Sequence, residues 1–199
     1  MLTDRSTSPE SRTPVTGIAG RSRLPVATIS VLLITGAVTG LQFAYPEILS
    51  SLRRRPGAIS DGQWWRMITP MLVHSGGWPH FAFNAVAIAV VGTIAERIFG
   101  WRRWLILYFV SGIIGEVAGY AWKPDGAGAS VGGAGLLGGV TTWLLVRKGL
   151  PRRARAGAIV VLIGTLTLTL YHDVHGPPIL AGVILAAIML RNQPGSGSL

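Results

Sequence analysis

Six apolar stretches, at residues 24–43, 78–99, 101–122, 129–146, 157–171 and 174–190, limit what this chain can fold into. A spanning α-helix needs roughly 20 predominantly apolar residues to cross the hydrocarbon of a bilayer. Within that hydrocarbon every backbone N–H and C=O has to find a partner inside the structure, which makes a helix the natural form for each stretch. Hydrophobic residues make up 49% of the 199-residue chain and charged residues only 13%, a balance too apolar for an ordinary soluble domain. The sequence therefore predicts an all-α, polytopic membrane protein: one bundle of six transmembrane helices over residues 24–191. The first stretch carries no charge and is not followed by a clear small-residue cleavage site, so a retained helix is expected rather than a signal peptide.

Residues 1–23 are rich in Ser, Thr, Pro and Arg without apolar periodicity and read as a disordered cytoplasmic tail, with a second short tail at 192–199. The net charge of +10 raises the question of nucleic acid, but its distribution answers otherwise. With a cytoplasmic N-terminus, 13 of the 18 basic residues fall in inside segments: Arg5, Arg12, Arg21 and Arg23, then Arg97, Arg102 and Arg103, then Arg147, Lys148, Arg152, Arg153 and Arg155, then Arg191. That bias is the positive-inside rule, and it places both termini in the cytoplasm. The basic patches are then assigned to topology and to anionic headgroups, and no nucleic-acid partner is expected. Arginine far outnumbers lysine, a composition expected of a GC-rich bacterial genome and hence of a bacterial plasma membrane. The chain has no cysteine, which excludes disulfides and thiolate metal sites.

Polar side chains inside spans are expensive and are functional candidates by default, although many only join helices. His80 and Asn84 begin the second span, Ser130 begins the fourth, and His175 begins the sixth. With the N-terminus inside, every even-numbered span begins at the outer face, so these residues share one end of the bundle at similar depth. Serine with a nearby histidine permits acyl transfer, because the imidazole removes the proton that keeps the hydroxyl a weak nucleophile. His80 and Asn84, four apart on one helical face, are suited to donate to a developing oxyanion together with the Ser130 amide. This chemistry needs no metal or cofactor. The plainer reading stays open at this point: Ser130 as an N-cap or close-packing residue, and His175 beside Asp173 as an interfacial hydrogen-bonding group. Glu116, inside the third span, reads as a packing residue facing the bundle, and His172 stands as a second candidate base.

The order of the motifs resembles the rhomboid family of intramembrane serine proteases over about residues 60–190. "WWRMITPMLVH" is similar to the family's Trp-Arg loop motif, with Trp65 and Arg66 leading to His74. "HFAFN" matches its His-x-x-x-Asn, "GTIAERIFG" its Gly-x-x-x-Glu-Arg with Glu96 and Arg97, and "HGPPILAG" the histidine followed seven residues later by glycine, His175 and Gly182. The resemblance implies a Ser130/His175 dyad below the outer membrane surface that cleaves single-span membrane proteins, with Gly182 letting the fourth and sixth helices approach.

Two registers are open around "GASVGGAGLLG". One keeps GAS and GLLG at family spacing, sets Ser130 as nucleophile, and leaves Val131 where the family has glycine and Ala134 where it has an aromatic that packs on the histidine. The other sets Ala134 at the nucleophile position and makes the chain a catalytically inactive relative that binds transmembrane helices. The ungapped register is the expected one. Its two departures, with one extra residue between His74 and His80, bear on how firmly the base and the oxyanion donors are held.

Overall fold

The computed structural model describes residues 24–192, so both predicted tails, 1–23 and all but the first residue of 192–199, lie outside the described residues. In chain order the helices are α1 (Val26–Ala44), α2 (Pro46–Leu52), α3 (Gly77–Ala87), α4 (Thr93–Phe99), α5 (Trp101–Trp122), α6 (Ser130–Val146), α7 (Arg152–Leu170) and α8 (Gly176–Arg191). A single π turn, Ile88–Gly92, joins α3 to α4 within one continuous span. The fold is the expected all-helical bundle. Among the described residues four spans, α1, α3–α4, α5 and α7, are long and apolar enough to cross a membrane, whereas α6 and α8 are apolar but only 17 and 16 residues long. The fifth span differs most from expectation, since its helix begins at Arg152 rather than at 157. Arg and Ala favour helix, and hydropathy ends a span where charge begins although the helix continues.

Around an apolar core that includes Trp104, Leu107 and Leu136, the outer helices α1 and α7 turn apolar side chains outward. The inward stripe of α1 is largely polar, with Thr28, Thr35, Thr39 and Gln42 buried, while Leu33 and Ile34 on the same helix are exposed. On α7 only Ala158 and Thr165 are buried, and Ile159, Val160, Ile163 and Leu166 face outward. Exposed apolar side chains arranged around polar, hydrogen-bonded interior stripes are the pattern that lipid selects, because lipid gives no penalty for an exposed leucine and severely penalises an unpaired polar group. The chain is an integral, multi-pass membrane protein.

The central helix is α6, packed against α5, α7, α8 and the π turn. Its close approach to α8 depends on glycine. A Cβ placed at Gly182 would sit 2.0 Å from the Gly135 carbonyl oxygen, and one at Gly138 would sit 2.1 Å from the Ile179 carbonyl oxygen. The backbones of α6 and α8 therefore touch, which in lipid supplies the packing that water would otherwise drive.

Glu96 has a structural task. The N-cap of α1 is Pro25, which has no side-chain acceptor, so the first amides of the helix lack a local partner. Glu96 reaches across from α4, accepting from the Ala27 and Thr28 amides at 2.9 Å each and from the Thr28 hydroxyl at 2.8 Å. Arg97 is exposed and does not pair with it. Glu96 thus caps α1 from another helix and forms no ion pair with its neighbour Arg97.

The segment between α1 and α3 is held by Arg66. Its buried guanidinium donates to Gln63 Oε1 at 2.6 Å, to the Ser50 carbonyl at 3.1 Å and to the Arg53 carbonyl, which fixes the end of α2. Trp65 donates its indole N–H to the Ser51 carbonyl at 3.4 Å. Trp64, Trp65 and Trp78 all expose more than half their surface, as rings at a headgroup boundary would.

Candidate active site

Ser130 is the first residue of α6, and the strand of chain leading to it is stitched to the segment before α3. Gly128 donates its amide to the Pro70 carbonyl at 2.9 Å, Ser75 donates its hydroxyl to the Ala127 carbonyl at 3.2 Å, and Arg54 donates its amide to the Gly126 carbonyl at 2.9 Å. His175 immediately precedes α8. The glycine contact between α6 and α8 brings the two helix starts together, and His175 Nε2 lies 3.0 Å from Ser130 Oγ. Both line a cavity of about 180 Å³, shared with His80, Arg54, Glu116 and Lys123.

The oxyanion candidates face the same region. Gly76 donates its amide to His80 Nδ1 at 3.3 Å, which leaves the proton of a neutral ring on Nε2. A Cβ on Gly128 would sit 3.0 Å from that Nε2 and 3.4 Å from Asn84 Nδ2. The absence of that Cβ keeps open the space both donors point into. Asn84 Nδ2 is buried without a hydrogen-bond partner. A buried amide nitrogen beside the space that Gly128 leaves open is suited to donate to a group entering it.

Behind Ser130 stands His74, which the sequence reading treated only as the end of a loop motif. It is 1% exposed. Its Nδ1 lies 2.9 Å from the Thr39 hydroxyl, Gln42 brackets its backbone with two hydrogen bonds, and its Nε2 accepts the Ala129 amide at 3.5 Å. Burial, reinforced by nearby His80, holds its pKa down at about 4. His74 is thus a neutral strut between α1 and Ala129, the residue before Ser130.

Val131 and Ala134, the two departures from the family pattern, are both buried on α6. Room for Val131 comes from α5: a Cβ on Gly115 would stand 2.8 Å from the Val131 Cβ. His172 does not face Ser130. Its backbone has φ 54, and its ring meets Trp122 edge-on at 5.1 Å.

Two groups in the site were not legible as such. Arg54, in the run of three arginines before Pro56, is buried and donates to Glu116 Oε2 at 2.5 Å, with its Nε on the Lys123 carbonyl at 3.1 Å. Gly119 and Gly126 leave space for its guanidinium. This gives Glu116, expected as a packing residue facing the bundle, a charged partner. The second is Asp173, whose Oδ1 lies 2.6 Å from His175 Nδ1. An acidic residue two positions before a histidine at a helix start was the available signal.

The rhomboid domain model matches residues 61–191, about two thirds of the chain. The chain belongs to the rhomboid family. Among curated relatives it is 38% identical to the rhomboid protease GluP of Bacillus subtilis (strain 168) over 106 residues, 53% of this chain and 21% of that protein. It is 41% identical to Rhomboid-type serine protease 2 of Emericella nidulans over 78 residues, 39% of this chain and 15% of that protein. With the rhomboid protease AarA of Providencia stuartii it shares 39% identity over 62 residues, 31% of this chain and 22% of that protein. This rhomboid chain thus spans well under half the length of these relatives. Family membership supports intramembrane proteolysis of the serine type in general.

Proposed function

We propose that this rhomboid chain is an intramembrane serine endopeptidase in which Ser130 is the nucleophile and His175 the general base. The 3.0 Å approach of His175 Nε2 to Ser130 Oγ, inside a polar cavity of an otherwise apolar bundle, carries the reading. His175 takes the Ser130 proton as Oγ attacks the scissile carbonyl carbon. The negative charge that develops on the carbonyl oxygen is met by His80 Nε2–H, Asn84 Nδ2 and the Ser130 amide at the positive end of α6. His175 then passes its proton to the leaving amine. Water, deprotonated by the same ring, attacks the acyl-serine and restores Ser130.

Substrates are single-span membrane proteins. Helices of 17 and 16 residues rise about 25 Å, against a hydrocarbon core of about 30 Å. Both end next to basic residues, Arg147 and Lys148 after α6 and Arg191 on α8, which supports a cytoplasmic position for those ends under the positive-inside rule. Ser130 and His175 then lie about 5 Å inside the opposite boundary. A peptide bond becomes accessible there when a substrate helix unwinds at its outer end into the cavity.

The test is cleavage of a single-span reporter by purified protein in liposomes. Ser130→Ala and His175→Ala each reduce cleavage by at least about 10³-fold while melting is unchanged. Cleavage that persists in Ser130→Ala overturns the assignment. A wild-type protein that binds reporters and cleaves none of them makes the chain a silent helix binder.

A further inference from the structure

The five-residue connection from α7 to α8, residues 171–175, is built around Asp173. Helix α7 closes with the His172 amide on the Thr169 carbonyl at 3.1 Å and the Asp173 amide on the Leu168 carbonyl at 2.8 Å, around the left-handed His172. This paired closure needs one residue at positive φ, which histidine tolerates better than a β-branched residue. It delivers Asp173 to the start of α8, where Oδ1 accepts the His175 amide at 3.0 Å in a turn typical of Asp and Asn. The same Oδ1 lies 2.6 Å from His175 Nδ1, and Oδ2 receives Lys123 Nζ at 3.1 Å from the α5–α6 loop.

We propose that Asp173 is a positioning residue for His175, so that Ser130, His175 and Asp173 act as a three-member relay where the family resemblance implies two. This rests on the Ser130/His175 reading above. An ionised carboxylate only accepts hydrogen bonds, so its contact with Nδ1 fixes the ring proton there and leaves the Nε2 lone pair facing Ser130 Oγ. Partial burial raises the Asp173 carboxyl, but hydrogen bonds from the His175 backbone and ring and from Lys123 outweigh it and hold the group at about 2, ionised throughout the neutral range. During attack the proton moves from Ser130 Oγ to His175 Nε2 and Asp173 takes none. Its charge stabilises the imidazolium that forms. Asp173 orients the ring through Nδ1, the nitrogen that does not face Ser130.

The full chain, purified in detergent micelles, is compared with Asp173→Ala and Asp173→Asn. Asp173→Ala removes charge and grip and lowers kcat by on the order of 10²–10⁴-fold, with KM within about twofold. Asp173→Asn keeps an acceptor for the turn and loses the charge, and it lowers kcat at least about tenfold with unchanged melting. Fluorophosphonate labelling, which needs no bound substrate, slows in parallel. Proton NMR of the wild type shows a downfield imidazole N–H resonance that Asp173→Asn loses. Cleavage and labelling within about threefold of wild type in both variants overturn the proposal, as does absence of that resonance from the wild type. Full activity in Ser130→Ala instead overturns the proposed function, and the imidazole resonance then decides the role of Asp173 alone.

Discussion

Two carboxylates sit at opposite ends of this bundle, and they are used in opposite ways. Glu96 is committed to the backbone: both oxygens take donors from the first turn of α1, three hydrogen bonds in all. Asp173 is shared between a lysine and a histidine whose other nitrogen meets a serine hydroxyl at the cavity wall. Around Glu96 every donor is matched, whereas around Ser130 a buried amide nitrogen, Asn84 Nδ2, is left without a partner. Glu96 thus completes a helix end, whereas Asp173 and Asn84 lie next to the groups that line the cavity.

The contrast disappears where packing serves both ends. Gly182→Val drives a side chain into the Gly135 carbonyl, which cannot rotate away, and separates α6 from α8. This variant loses both cleavage and most of its thermal stability, the largest effect expected here, measured by reporter cleavage and melting in detergent.

A matched pair of substitutions then sharpens the comparison. Asn84→Ala lowers kcat by on the order of 10²–10³-fold and barely moves the melting temperature, because its amide nitrogen bonds nothing in the resting state. Glu96→Ala does the reverse, removing about 3 kcal/mol of stability by stranding the Ala27 and Thr28 amides, with residual activity per folded molecule near wild type. A kinetic defect in Glu96→Ala at full stability, or a stability defect in Asn84→Ala at full activity, would break the distinction.

Near neutral pH the smallest effect is a pH dependence, which grows only on acidification. His74 has a folded pKa of about 4 against 6.5 for a free ring, so the unfolded chain takes up its proton first as pH falls. Stability from this group is complete above pH 6.5 and is lost as pH falls toward 4, by up to about 3 kcal/mol. His74→Gln, which cannot titrate, flattens that part of the melting curve against pH. An unchanged slope in the variant would assign the acid sensitivity elsewhere.

The bundle was legible because hydropathy reports directly on lipid contact, and the helix starts carrying Ser130 and His175 were legible because span parity puts them at one end. The tertiary partners were not. Nothing local marks Glu96 as the cap of α1, since the missing acceptor is at Pro25, 71 positions earlier. Arg54 looked like a surface charge among its neighbours, and only the glycines at 119 and 126 hint at space for a buried guanidinium. Asp173 was read as an interfacial neighbour because its role depends on a left-handed turn at His172, a conformation no glycine announces. The effect of Val131 was equally hidden, because the space it needs belongs to Gly115 on another helix.

The central claim, that Ser130 is the nucleophile activated by His175, is tested most directly by mapping a fluorophosphonate adduct in the purified wild-type protein by peptide mass spectrometry. The account predicts a single adduct on Ser130, absent from Ser130→Ala and strongly slowed in His175→Ala. An adduct on any other residue, or labelling that survives in Ser130→Ala, would contradict it.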